Sequence, residues 1–306
     1  MIPGPGESAG SPPDRPAVLP PRRAGRPRAW ATARGSLPLE RPVIVGILNV
    51  TPDSFSDGGR FLVPEAALDR AEELVANGAG MLDVGAESTR PGAARVPETE
   101  EWRRLAPVLS GLTRRFPTVP LSVDTTRAAT ATRALEAGAW AINDVSALRL
   151  DPGLAEVCCR HGAGLVLMHS RGTTSDMASY AWATYDDVAM TVTAELTEAV
   201  ERAVAGGVER DRLVLDPGLG FAKTPEQSWA ALRGLPLLAD LGLPVMIGPS
   251  RKRFLGAATG RDVADRDAAT AAACALGSLL GASLFRVHAV PPVRDALAVA
   301  HALASA

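Results

Sequence analysis

With 306 residues and 46% hydrophobic side chains, the chain can bury one large core or two small ones. A formal net charge of −2 rules out the global positive field that holds nucleic acid or an anionic membrane surface. No apolar run reaches the roughly 18 residues needed to span a bilayer, and three cysteines (Cys158, Cys159, Cys274) are too few for a disulfide framework and read as free thiols of a reducing cytoplasm.

Residues 1–28 are rich in Pro, Gly and Arg and poor in apolar side chains. Such a segment cannot bury enough surface to offset its ordering entropy, so it is expected to be a disordered tail. It lacks the apolar core of a secretory signal, and its prolines argue against the amphipathic helix of an organellar targeting peptide. The stretch 30–39 is expected to form a short hairpin or plug beneath a single barrel domain spanning 29–306.

From Val43 onward short apolar runs recur at 43–48, 81–84, 121–123, 141–142, 165–168, 213–215, 245–247 and 284–287. They are continuous rather than alternating, as strands buried on both faces should be. Helical spacing fills the intervals at 66–76, 98–116, 127–137, 153–161, 186–205, 228–238, 265–280 and 293–303, the first ended by Asn77 and Gly78. Strand ends recur about every 34 residues, a βαβ period. Eight such units predict a (β/α)8 TIM barrel. A doubly wound open sheet would want a Gly-rich dinucleotide turn after an early strand, and none is present.

Polar residues stand at or just past the C-terminal end of every predicted strand: Asn49; Asp83 and Glu87; Asp124; Asn143 and Asp144; His169; Asp216; Ser250 and Lys252; Arg286 and His288. One such residue is usually a cap or turn former. Eight sets, all on the rim where barrel enzymes do their chemistry, predict an active site. The basic residues add a second signal. Of 32 Lys plus Arg, only Lys223 and Lys252 are lysines. A lysine kept against that bias suggests a place for a compact point charge, where a planar guanidinium does not fit.

The rim motifs, in order, are GILNVTPDSFSDGG (46–59), LDVGAESTRPG (82–92), SVDTTR (122–127), INDVSA (142–147), LMHSRG (167–172), LDPGLGFAKT (215–224), GPSRKRFLG (248–256) and FRVHAV (285–290). The first has the composition of a mobile polar lid. Together they resemble the dihydropteroate synthase family from about Trp30 to the C-terminus, the first motif, DPGLGFAKT and SRKRFLG being the most specific. The order is also that of the wider pterin-binding group, which includes domains of methyltetrahydrofolate-dependent methyltransferases.

The resemblance implies condensation of 6-hydroxymethyl-7,8-dihydropterin diphosphate with 4-aminobenzoate in folate biosynthesis, by a cytoplasmic, homodimeric sulfonamide target that uses Mg²⁺. A pterin presents an amino group and a ring N–H side by side, which one buried carboxylate accepts together. Asp216 is the matching acceptor, with Asp124 and Asn143 on the rest of the ring edge, Lys252 on the ring oxygen and nitrogen acceptors, and Phe221 packed on the ring face. Arg286 is expected to hold the diphosphate bidentately, with His288 and Thr89 as further donors and Asn49 as the Mg²⁺ ligand. Asp53 and Arg90 are expected to shield the reacting cation from the first and second loops, and Arg253 or Ser250 to hold the aminobenzoate carboxylate. Asp144 reads equally as a cap for the following helix, His169 as a structural hydrogen-bonder, and Lys223 as either a loop and dimer residue or a ligand contact.

Three positions depart from the family pattern: Ala289 where an acid commonly follows Arg-x-His, Ala86 for a usual glycine, and threonines in SRGTTSDM where proline is frequent. If that acid orients His288, its loss would weaken one diphosphate contact. A methyltransferase-type domain is the first rival reading, but would need neither the first loop nor Arg286-x-His288. A non-catalytic pterin-binding paralogue is the second, supported only by Ala289.

Overall fold

In the computed structural model the described residues are 27–50, 62–87 and 96–306. The expected tail lies outside them apart from Pro27 and Arg28, and Arg28 already belongs to the fold, its carbonyl accepting from Leu39 N at 2.7 Å. Strands β1 (Ala29–Thr32) and β2 (Gly35–Pro38) pair antiparallel with Trp30 opposite Leu37. This is the expected hairpin.

Eight parallel strands follow: β3 (Val43–Asn49), β4 (Met81–Gly85), β5 (Leu121–Asp124), β6 (Ala141–Asp144), β7 (Gly164–Met168), β8 (Leu213–Asp216), β9 (Met246–Ile247) and β10 (Leu284–Val287). They run β8-β7-β6-β5-β4-β3-β10-β9, and a parallel bridge between Leu215 and Val245 joins the two ends of this order into a barrel. Helices α1 (Leu62–Ala76), α2 (Glu98–Arg115), α3 (Ala128–Glu136), α4 (Gly153–His161) and α5 (Val188–Ala205) each lie between consecutive strands. After β8 come α6 (Pro225–Arg233) and α7 (Leu235–Ala239), after β9 come α8 (Arg253–Thr259) and α9 (Asp267–Leu280), and α10 (Val290–Ser305) ends the chain.

Two helical expectations need correction. The single helix expected over 228–238 is two, because Pro236 has no N–H to continue the ladder and the chain turns at Gly234. SRKRFLG, read as a ligand loop, also starts a helix: α8 begins at Arg253 and stops at the left-handed Gly260.

Strand alternation sets the site. Leu82, Val84, Val123, Ile142, Leu165, Leu167, Leu213, Leu215, Ile247, Phe285 and Val287 join the core cluster shared with the helices. The residues between them point into the barrel. The lower inward layer is Val45, Met81, Ala141, Val166, Val214, Met246 and Leu284, closed from below by Trp30, Leu37 and Leu39 of the hairpin. Trp30 Nε1 donates to Arg212 O at 2.8 Å, and its ring lies so close to Gly164 that a Cβ there would sit 2.6 Å from it. Two residues further along each strand come Ile47, Asp83, Asn143, Met168, Asp216, Gly248 and Arg286. An apolar floor thus carries a largely polar layer immediately above it.

Candidate active site

Asp83 is the hub of that polar layer. It is buried, and its Oδ1 accepts from Ser122 Oγ at 2.5 Å while Oδ2 accepts from Asn143 Nδ2 at 3.1 Å and Arg286 Nε at 2.6 Å. Arg286 also donates an Nη to Asp124 Oδ2 at 2.9 Å. Two nitrogens of Arg286 are thus held by carboxylates of β4 and β5, and Nη1 is left for the expected diphosphate contact. A guanidinium enclosed in a barrel needs such partners, because an unpaired buried charge is costly. Burial and the like charges of Asp83, Glu101 and Glu87 push the Asp124 carboxyl upward, against the pull of Arg286. Asn143 spends its amide N–H on Asp83, which leaves its carbonyl as the group to meet a ligand donor.

Asp216 ends β8 on the far side of the pocket. Among the described residues it accepts one hydrogen bond, to Oδ1 from Gly218 N at 2.7 Å. Burial raises its carboxyl above the ordinary range, while the charges of Lys252, Arg286 and Lys223 pull it back. Lys252 and Arg286 converge at Gly248, where a Cβ would lie 3.8 Å from Arg286 Cβ and 4.0 Å from Lys252 Nζ. Lys252 donates to Leu219 O, and its ammonium lies 4.4 Å from the centre of the Phe221 ring. Burial and the charge of Arg286 lower its pKa to about 8, with Asp216 opposing.

His288 is the next inward residue after Arg286. Ser250 Oγ accepts from His288 N at 3.2 Å and lies 2.9 Å from Nδ1. With Nδ1 taken up by Ser250, Nε2 is the ring nitrogen left for a ligand. Burial and the charges of Arg286 and Arg251 lower the pKa of His288 to about 4. It is a neutral imidazole at pH 7 rather than a second cation. Ser250 thus supplies the orientation expected of the missing acid, and Ala289 instead stands at the N-terminus of α10.

At the rim several expected site residues have partners within the protein. Ser250 is committed to His288. Arg253 donates to Ala178 O and lies 4.4 Å over the Tyr180 ring, contacts that brace the loop after β7. Asp144 caps a turn, not a helix: it accepts from the N–H groups of Ser146 and Leu148 and from Ser146 Oγ. Asn49 is half-buried at the end of β3. Asp53, Thr89 and Arg90 lie outside the described residues.

Asp83 and Ser122 carry no role in the sequence reading beyond Asp83's place in the rim series. The signal that finds them is register: Asp83 pairs with Ser122 on β5, beside Asn143 on β6. The donor set bears on the Mg²⁺ reading. No group of three or more His, Cys, Asp or Glu side chains among the described residues forms a cage for a metal ion. Asn49 supplies a hard amide oxygen, the kind of donor that suits Mg²⁺ alongside phosphate oxygens and water.

A plugged eight-stranded barrel with a carboxylate on one side of its mouth and a braced arginine on the other defines an enzyme for a small polar, anionic substrate. Residues 45–288 match the family of pterin binding enzymes. The chain is 47% identical over 262 residues to dihydropteroate synthase of Mycobacterium leprae, covering 84% of this chain and 91% of the relative. A Xanthomonas albilineans dihydropteroate synthase solved with 4-aminobenzoic acid superposes with a TM-score of 0.85 at 42% identity, over 91% of this chain and 99% of that one. The same enzyme in complex with 7,8-dihydropteroate gives 0.79 at 40% identity, over 89% and 97%. The chain belongs to the pterin-binding enzyme family and, within it, to the dihydropteroate synthases.

Proposed function

We infer that this chain is a transferase of folate biosynthesis that condenses 6-hydroxymethyl-7,8-dihydropterin diphosphate with 4-aminobenzoate, giving 7,8-dihydropteroate and diphosphate. The observation that carries the reading is the meeting of Lys252 and Arg286 beside Gly248, where a Cβ would lie 3.8 Å from Arg286 Cβ and 4.0 Å from Lys252 Nζ, next to the strand β8 that ends in Asp216.

The paired amino and ring N–H donors of the pterin meet the Asp216 carboxylate, and Asn143 presents its carbonyl to a further donor. Lys252 reaches the ring acceptors from above Phe221, and Phe221 packs on the ring face. Binding the neutral ring leaves the diphosphate near Arg286 and His288. There the charge on the departing oxygens meets Arg286 and His288. As the C–O bond to diphosphate breaks, the exocyclic methylene carbon gains positive character that spreads into the dihydropterin ring. The neutral arylamine nitrogen attacks that carbon, forms the C–N bond and gives up its proton to solvent. Its low basicity removes the need for a strong base.

Mg²⁺ near Asn49, sharing the diphosphate oxygens, would supply further charge neutralisation when bound. A homodimer is part of the same proposal, with exposed Leu276, Val299 and Leu303 on α9 and α10 offering an apolar face for a second copy. The three cysteines are all free, which suits a cytoplasmic enzyme. Mixing the protein with both substrates tests the reaction: diphosphate release dependent on 4-aminobenzoate is expected. Tight pterin binding without release would favour a non-catalytic paralogue.

A further inference from the structure

Lys223 is one of two lysines in a chain that otherwise uses arginine, and the reaction described above does not employ it. Its side chain is 1% exposed, and its donors are spent on the protein itself. Its Nζ donates to His169 Nδ1 at 2.8 Å, to Phe221 O at 3.1 Å and to Gly218 O at 3.2 Å. An ammonium has three N–H groups, and here each has an acceptor. A planar guanidinium cannot point three donors this way in a closed space.

The network behind Lys223 closes on itself. Donation from Lys223 leaves the proton of His169 on Nε2, which lies 2.9 Å from Glu195 Oε2. Glu195 also pairs with Arg171, whose guanidinium sits 4.2 Å over the Tyr185 ring. Tyr185 OH donates to Ala222 O at 3.0 Å. The circuit has returned to the residue before Lys223.

That residue matters, because Ala222 has φ 46°, a left-handed conformation which costs about 1 kcal/mol or more for a residue with a Cβ. Gly218 is also left-handed at φ 64°, and a Cβ there would fall 1.9 Å from His169 O. The 217–222 turn is thus strained at one position and pressed against β7 at another, and it persists only because its surroundings over-determine it. The same turn builds the pterin side of the pocket. Gly218 N fixes Asp216, Leu219 O seats Lys252, and the Phe221 ring lies beneath the Lys252 ammonium.

We propose that Lys223 is a positioning residue for pterin recognition: by anchoring the 217–222 turn from beneath, it fixes the orientation of Asp216 and the seat of Lys252 without touching the ligand. The proposal rests on the pterin reading of the pocket.

Steady-state kinetics with each substrate varied in turn separate positioning from general destabilisation. Lys223→Met keeps the length of the side chain and removes all three donors. It is expected to raise the KM for the dihydropterin diphosphate about tenfold, while leaving kcat and the KM for 4-aminobenzoate within about threefold. Lys223→Arg should not rescue, since charge without the three-donor geometry is insufficient. Glu195→Gln, at a partly exposed position, guards against a Lys223→Met protein that does not fold. It should shift the same KM in the same direction by about threefold. A fall in kcat with both KM values unchanged is the signature of fewer active molecules and would overturn the proposal. An unchanged pterin KM in Glu195→Gln would do the same. Absence of turnover in the unsubstituted protein would instead overturn the reading of the pocket itself.

Discussion

Replacing Asp83 separates geometry from charge at the hub of the site. In Asp83→Asn the amide oxygen can take the place of Oδ2 and accept from both Arg286 Nε and Asn143 Nδ2. The amide nitrogen then faces Ser122 Oγ, whose hydroxyl can turn to accept it, with Leu82 O at 3.5 Å on its other side. Every hydrogen bond has a substitute, and what disappears is the charge. A bond to a charged group contributes about 1.5–3 kcal/mol against about 0.5–1.5 kcal/mol for a neutral one, so Asp83→Asn should lower stability by about 1–2 kcal/mol. Asp83→Ala removes the acceptors as well and leaves Arg286 with Asp124 alone. Breaking a buried pair on one side costs about 3–5 kcal/mol. Arg286 and Asn143 then lose their common tether, and kcat/KM for the pterin diphosphate should fall about 10²-fold in the alanine variant, against less than about tenfold in the asparagine variant. Urea unfolding and a diphosphate-release assay read the two effects. An Asp83→Ala protein with unchanged kcat/KM and a stability loss below about 1 kcal/mol would refute the hub role.

Other outcomes follow from the same geometry. Arg286→Ala should cost about 10²–10³ in kcat/KM for the diphosphate substrate, measured by product formation. With the Lys252 pKa lowered to about 8 by burial and Arg286, kcat/KM for that substrate should decline above about pH 8 as the ammonium loses its proton, and a flat profile to about pH 9.5 would contradict the role. Burial and the charge of Lys223 hold His169 at about 4 against an ordinary 6.5, so the unfolded chain takes up a proton that the fold refuses. Stability from this group is intact above pH 6.5 and falls as the pH drops toward 4, by on the order of 2–3 kcal/mol, and His169→Gln should flatten that acid slope in urea titrations. Gly164→Ala would drive a methyl into the Trp30 ring, lowering stability by about 1–3 kcal/mol while the kinetics of the folded protein, whose site lies at the opposite end of the barrel, stay unchanged.

The barrel was legible because its strands are buried on both faces, which makes them continuous apolar runs, and because polar residues close each run. Even the plug was foreshadowed by the apolar positions at Trp30 and Leu39. The break at Gly234 and Pro236 is not legible, because the apolar spacing continues across it while the backbone ladder is interrupted. Helix α8 was hidden inside a motif read for its ligands. Site membership was legible for Asp216, Lys252 and Arg286, but their partners were not. Arg286 lies 203 residues from Asp83, and Lys223 lies 54 from His169, so no local pattern links either pair. Only strand register brings Asp83 beside Ser122 and Asn143. Likewise, Ser250 replaces the orienting acid absent at Ala289 through a contact across two strand ends.

A crystal structure of the protein with 6-hydroxymethyl-7,8-dihydropterin diphosphate is the sharpest trial of the single-pocket arrangement. The ring's paired donors should lie on the Asp216 carboxylate, with Lys252 at the opposite ring edge and the diphosphate against Arg286 and His288. A pterin bound away from Asp216, or a diphosphate that leaves Arg286 and His288 untouched, would contradict it.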